Sequence, residues 1–237
     1  MNGIVSMITP LLLHMVISDV CRVFLGQALD STSCTSAASL IVIPIALWMY
    51  LSDRKGGEAE SMTNKTVQDS RKSAVQSKKS GSDRKNVVQS KKSGSGRKKL
   101  LFGIFCIILG GVLNLAVSGI MNLWHITQSF SNETQEALLA AQILIQLIGL
   151  GILVPLAEEL VFRGLIYTRM KRFFQVKLSI FFSALLFAVY HGNPIQIIFA
   201  FPMALALAIV YEQGGSLVFP ILFHAGSNLT AILVNFL

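Results

Sequence analysis

Two adjacent glutamates lie at the end of a long apolar run. Glu158 and Glu159 follow an apolar run that begins near Leu147, and Arg163 comes four residues later. A charged side chain in the hydrocarbon core of a bilayer costs from about 3 to more than 10 kcal/mol, so such residues are usually kept for function. The glutamate pair therefore predicts a functional centre inside a membrane-spanning helix.

The amino-acid composition is typical of a membrane protein. Hydrophobic residues make up 53% of the 237 residues and charged residues 14%, whereas soluble domains carry about 25% charged residues. A spanning helix needs about 20 apolar residues. We predict an all-α, polytopic transmembrane bundle of about seven spans, within a range of six to eight, with no soluble domain of useful size.

The positive charge is concentrated in two segments. Fourteen of the 20 Lys and Arg residues lie within residues 54–99, and a second group comprises Arg169, Lys171, Arg172 and Lys177. Clustered Lys and Arg between spans mark cytoplasmic segments, which places the N-terminus in the cytoplasm and the C-terminus outside. Residues 54–99 contain no aromatic side chain for stacking on bases. We therefore expect the basic loop to attract anionic lipid, at about 1 kcal/mol per basic residue, and expect no nucleic-acid partner.

The chain divides into three regions. Residues 1–52 form an N-terminal transmembrane hairpin, residues 53–99 a basic cytoplasmic loop, and residues 100–237 a helical core whose catalytic part is 138–237. The first five predicted spans are 3–25, 37–51, 100–123, 138 to just before 169, and 178–191. After a break at 192–194 a sixth span continues to 211, and a seventh ends at 237. A short polar loop is predicted at 30–35. The loop carries two imperfect 13-residue copies, 71–83 and 84–96, whose polar composition predicts disorder.

Polar residues and cysteines in the hairpin have ordinary interpretations. Asp19 is predicted to pair with Arg22 near the interface rather than to act in catalysis. His14 is unusual in an apolar span and has no assigned partner. The cysteines are Cys21, Cys34 and Cys106. Their spacing does not indicate a metal site. They are expected to be buried thiols, with a disulfide between the first two as an alternative.

Three polar groups fall in the last four spans: Glu158, Glu159 and Arg163; Phe187 and His191; His224 and Asn228. Residues four apart share a helix face. From the span boundaries, Glu158, His191 and His224 lie about 16, 20 and 12 Å from the cytoplasmic side. We therefore expect the three groups to meet inside the bilayer. A carboxylate beside an imidazole can take a proton from water, and a His and an Asn can donate hydrogen bonds to an oxyanion.

Each group alone could equally be a structural clamp between helices. Together, however, Glu-Glu-x-x-x-Arg, Phe-x-x-x-His and His-x-x-x-Asn, in this order on successive membrane helices, resemble the CAAX protease and bacteriocin-processing (CPBP or Abi) family of intramembrane glutamic endopeptidases. The resemblance covers residues 138–237. The first 137 residues add only hydrophobic spans and the repeat loop to it.

The resemblance implies an all-helical endopeptidase that uses neither metal nor cofactor. By this likeness Glu158 and His191 activate water, His224 and Asn228 form the oxyanion site, and Glu159 and Arg163 orient and balance the first glutamate. The expected substrate is a small peptide or a lipidated, CAAX-like protein. The short chain favours a bacterial cell-membrane protein and hence an unmodified peptide. The sequence does not indicate an oligomeric state.

Two other functions are compatible with these residues. Two His and two Glu could ligate zinc in a membrane peptidase, although the chain has no His-Glu-x-x-His motif. The charged groups could also serve a non-catalytic membrane protein, such as a carrier, an immunity protein or a scaffold.

Overall fold

The protein folds as a bundle of helices. The computed structural model describes residues 3–76, 95–126 and 133–237, and these ranges contain helices and no strand. The helices are α1 (Gly3–Leu25), α2 (Ser31–Gln76), α3 (Ser95–Leu123), α4 (Glu133–Leu139), α5 (Ile143–Met170), α6 (Val176–Tyr190), α7 (Pro194–Gly214) and α8 (Val218–Phe236). Within the described ranges, six are long and apolar enough to cross a membrane, and α6 is a shorter apolar helix of 15 residues. The predicted all-α membrane bundle is confirmed.

Apolar side chains occupy both the interior and the outside of the bundle. Phe162, Leu165 and Phe223 are fully buried, whereas Ile108 and Leu123 are 60% and 77% exposed. In water such an outer surface would be costly, but against lipid tails it is expected. This distribution fits helices that face hydrocarbon.

Helix α2 begins earlier than predicted. The Asp30 carboxylate accepts hydrogen bonds from the Ser33 backbone N–H at 2.9 Å and from the Ser33 hydroxyl at 2.8 Å. These bonds satisfy donors in the first turn and hold the pKa of Asp30 below its usual range. The hydroxyls of Thr35 and Ser36 donate to carbonyls of their own helix. The loop predicted at 30–35 is therefore largely the first turn of the helix.

The second half of α2 corrects the prediction of disorder. The helix continues to Gln76, and α3 begins at Ser95, so residues 53–76 and 95–99 are helical. Lys, Arg, Glu, Gln and Met are good helix formers, and residues 53–76 contain no proline to stop a helix that the apolar span has already nucleated. Most of the repeat falls in residues 77–94, outside the described ranges, and its interpretation stays a prediction.

Two ion pairs and a hydrogen bond join four helices at one end of the bundle, here called the basic end. Arg169, at the end of α5, donates to the Asp53 carboxylate of α2 at 2.7 and 3.3 Å and to the Ser6 carbonyl of α1 at 2.5 Å. Lys171 contacts Glu212 of α7 at 2.7 Å. The start of α1, the middle of α2 and the ends of α5 and α7 therefore lie at the same level. This agrees with the predicted alternation of helix directions, while the side of the membrane stays a prediction.

Helices α3 and α8 pack with their backbones in contact. A Cβ atom on Gly110 would lie 1.9 Å from the Phe223 carbonyl oxygen, and one on Gly226 would lie 2.2 Å from the Ile107 carbonyl oxygen. Small residues permit this approach, which drives helix association in lipid, where burial of apolar surface contributes little. The contact fixes the position of α8, the helix that carries His224 and Asn228.

The polar residues of the hairpin mostly behave as expected. Asp19 and Arg22 lie 3.9 Å apart in an exposed pair, which confirms the predicted pairing. All three cysteines are buried free thiols, so the alternative of a disulfide between Cys21 and Cys34 does not hold.

Candidate active site

Helix α5, which carries the glutamate pair, is not a regular α-helix. Its segments Gly149–Leu153 and Leu160–Tyr167 are π-helical, and they flank the α-helical turn Val154–Glu159. Pro155 has no N–H and would clash with the carbonyl four residues earlier. The wider π turn, in which the Val154 N–H bonds the Gly149 carbonyl, accommodates it. Such π segments are rare and occur often at functional sites.

Glu159 and Arg163 form a fully buried ion pair. The Arg163 guanidinium lies 2.9 Å from Glu159 Oε1, and the two side chains are 1% and 0% exposed. The guanidinium also donates to the Ala204 carbonyl at 3.1 Å and lies 4.5 Å from the centre of the Phe187 ring. A buried charge needs such partners. The predicted pairing is confirmed.

His224 connects the two glutamates. Its Nδ1 lies 2.9 Å from Glu159 Oε1, and its Nε2 lies 3.8 Å from Glu158 Oε2. Since the Glu159 carboxylate can only accept there, Nδ1 carries the proton, and Nε2 is directed towards Glu158. Glu159 therefore fixes the orientation of His224 as well as that of Arg163.

His191 ends helix α6 and has the same Nδ1 tautomer. Its Nδ1 lies 2.9 Å from the Phe187 carbonyl oxygen, so this nitrogen donates and Nε2 keeps its lone pair. The Phe187 ring lies beside both imidazoles, with ring centres 4.9 Å from His191 and 5.9 Å from His224. An imidazole with a free Nε2 can accept a proton.

Asn228 is fixed by the irregular part of α5. Its Nδ2 donates to the Leu150 carbonyl at 2.8 Å, within the first π segment. The side-chain amide has two N–H groups, so one remains for a second acceptor. The π turn thus serves to position a side chain on another helix.

These groups surround one cavity of about 750 Å³. Four of the predicted site residues line it: Glu158, His191, His224 and Asn228. The expectation that the three polar groups meet is confirmed. Glu159 and Arg163 are not among the lining residues and lie behind the wall.

Two other polar residues at the cavity carry no motif signal. Asn114 of α3 donates to the Ser227 carbonyl and hydroxyl at 3.2 and 3.1 Å, and Tyr190 of α6 lies beside His191. Asn114 is a polar residue in an apolar span, and that criterion could have identified it. In the sequence, Tyr190 cannot be distinguished from an ordinary aromatic residue at the membrane interface. Across the described ranges, no three His, Cys, Asp or Glu side chains are grouped as metal ligands.

Apolar helices around this buried charged cluster define a multi-pass membrane protein with a candidate hydrolytic centre. Residues 140–230 match the family model described as Rce1-like, type II CAAX prenyl endopeptidase Rce1-like, and this range contains all six predicted site residues. The match agrees with the resemblance read from the motifs over nearly the same part of the chain. No curated protein and no solved structure matches the chain.

Proposed function

We propose that this protein is an intramembrane glutamic endopeptidase in which Glu158 and His191 activate a water molecule. The observation that carries the proposal is the shared cavity, which brings a carboxylate, an imidazole with a free Nε2, a second imidazole and an amide together. The family match over the same residues supports this class of activity.

The reaction requires a base that takes a proton from the attacking water. Glu158 is the carboxylate that remains after Glu159 has paired with Arg163, and it lies with His191 on the cavity wall. In the proposed first step, water gives a proton to this pair and its oxygen bonds to the peptide carbonyl carbon. When the tetrahedral intermediate collapses, the C–N bond breaks and the same proton goes to the leaving nitrogen. General base catalysis of this kind contributes roughly 10²–10⁴ in rate.

The negative charge on the oxygen of the tetrahedral intermediate must be stabilised by hydrogen-bond donors. The first donor that we propose is Nε2 of His224, a residue that lines the cavity and whose ring is held by the bond from Nδ1 to Glu159. The second N–H of Asn228 is the other donor that we propose. Each such donor contributes about 2.7–4 kcal/mol of transition-state stabilisation.

We assign an orienting role to Glu159 and Arg163. They contact His224 and Phe187 rather than the cavity, and the opposite charges balance each other inside the bundle. Locked side chains of this kind hold reacting groups within the narrow limits that catalysis needs.

We propose a small peptide or a lipidated, CAAX-like protein as substrate. The cavity wall combines Phe199, Met203 and Leu207 of α7 with the polar Asn114 and Ser227. Such a wall can hold an apolar group beside a peptide backbone. The family model's name refers to a prenyl endopeptidase, so farnesylated and unmodified versions of one peptide should be compared.

Glu158→Gln tests the proposal. The amide keeps the shape of the side chain but cannot take a proton, so peptide cleavage by purified protein should fall by about 10²–10⁴ while the thermal unfolding temperature changes little. Glu133→Gln, on the exposed helix α4, is the matched control and should cleave like the wild type.

His191→Ala should reduce cleavage nearly as much as Glu158→Gln, and the double variant should lose little more, because both residues act on one water. Asn228→Ala should reduce kcat by roughly 10²–10³. Full cleavage by Glu158→Gln would refute the proposed mechanism. Loss of activity on treatment with a chelator, reversed by added zinc, would favour the zinc peptidase instead.

A further inference from the structure

His14 is a buried imidazole that no motif and no family match includes. It lies in α1, outside residues 140–230, and is 3% exposed. Its ring stacks on Tyr190 with centres 5.2 Å apart, and its Nε2 lies 3.4 Å from the Tyr190 hydroxyl. Its Nδ1 is buried without a hydrogen-bond partner among the described residues. A buried polar atom left in this way costs free energy, so an apolar residue would stabilise α1 better.

Tyr190 links His14 to the candidate active site. The Tyr190 ring lies 5.7 Å from the His191 ring, nearly perpendicular to it, and Tyr190 lines the cavity together with Glu158. His14 is not among the lining residues, and Tyr190 is the cavity residue that it contacts.

We propose that His14, through Tyr190, is a positioning residue for Glu158 and His191, so that α1 is part of the active site. The inference rests on the proposed peptidase function for its reaction. In the proposed arrangement the Tyr190 hydroxyl donates to Nε2 of His14, which lies 3.4 Å away. This contact, with the ring stack, holds the tyrosine that forms the wall beside His191 and Glu158.

The kinetic test separates positioning from substrate binding. His14→Phe keeps the ring stack but removes the acceptor, so kcat should fall by about tenfold or more with KM unchanged, because misplacement affects the chemical step. His14→Gln offers an amide oxygen to the Tyr190 hydroxyl and should restore most of kcat. Tyr190→Phe should resemble His14→Phe, and the double variant should be no worse than either single one. Thr9→Val is the control, because the Thr9 hydroxyl donates to the Val5 carbonyl of its own helix.

A spectroscopic test does not depend on cleavage. The chain has four histidines, so ¹⁵N-histidine NMR of the full-length protein shows four imidazoles that single substitutions can assign. Tyr190→Phe and Glu158→Gln should each shift the His14 ring nitrogens, and Thr9→Val should not.

The outcomes distinguish this inference from the proposed function. Unchanged His14 nitrogen shifts in both variants overturn the inference whether or not the protein cleaves peptides. Wild-type kcat in His14→Phe also overturns it, as does loss of folding without rescue by His14→Gln. Shifted nitrogens in a protein that cleaves no peptide would refute the peptidase function while supporting the link from His14 to Glu158.

Discussion

Replacing Glu159 by Gln removes one charge from the fully buried pair and leaves the other without its main partner. Glu159 and Arg163 are 0% and 1% exposed, so water cannot replace the lost carboxylate. Arg163 keeps the Ala204 carbonyl and the Phe187 ring, which are weaker partners. Breaking a buried pair in this way costs about 3–5 kcal/mol. That is a large part of the 5–15 kcal/mol by which proteins are typically stable.

The expected loss is large enough to measure by thermal unfolding. For a chain of this length each kcal/mol lowers Tm by about 2–4 °C, so Glu159→Gln should lower Tm by roughly 6–20 °C in detergent, followed by circular dichroism. The double variant with Arg163→Gln contains no unpaired charge and should recover most of that loss. Glu133→Gln, on the surface, should leave Tm unchanged.

Peptide cleavage and Tm should respond differently when Arg163→Gln is added to Glu159→Gln. His224 loses its charged acceptor in Glu159→Gln, and removing Arg163 does not replace it. Peptide cleavage should therefore stay low in the double variant even where Tm recovers. An unchanged Tm in Glu159→Gln, or a double variant no more stable than the single one, would refute the electrostatic account of this pair. Recovery of both Tm and cleavage would refute the orienting role.

Three further predictions concern packing and topology. Gly226→Ala should destabilise the protein by about 1–3 kcal/mol, measured as a lower Tm, because its Cβ would overlap the Ile107 carbonyl. Gly119→Ala is the control: a Cβ there meets open space, so this variant should be neutral or stabilising. Arg169→Met should cost about 1.5–3 kcal/mol in thermal unfolding through its bonds to Asp53, and Arg172→Met, on the exposed turn, should cost little. In a background without native cysteines, a cysteine at position 97 should react with membrane-impermeant reagents only from the cytoplasm and one at position 237 only from outside; the reverse labelling would invert the predicted topology.

The apolar spans and the pairing of Glu159 with Arg163 could be predicted because both follow from local rules. Glu159 and Arg163 are four residues apart, so helical periodicity alone brings them together. A charged residue in an apolar span is costly, which makes Glu158 conspicuous in the sequence. The first span was predicted at its observed bounds, Gly3–Leu25, because the apolar run ends where polar residues begin.

The remaining features depend on contacts between helices. The π segments of α5 follow from Pro155 together with the packing of its neighbours, and a single-helix pattern does not contain that information. The extension of α2 to Gln76 reflects propagation from an existing helix into residues whose composition alone suggested disorder. The different roles proposed for the two histidines likewise depend on a carbonyl and a carboxylate that lie near them only in the folded chain.

The first 137 residues therefore contribute more than hydrophobic spans. Asn114 of α3 fixes Ser227, which lies between His224 and Asn228, and the contact at Gly110 sets how close α8 can lie. His14 of α1 contacts Tyr190, the tyrosine next to His191 in the chain. The side chains proposed to act on the peptide all lie in the matched region, but the distances between them depend on helices that precede it. The chain cut down to residues 138–237 should thus keep its motifs and lose the geometry on which their proposed chemistry depends.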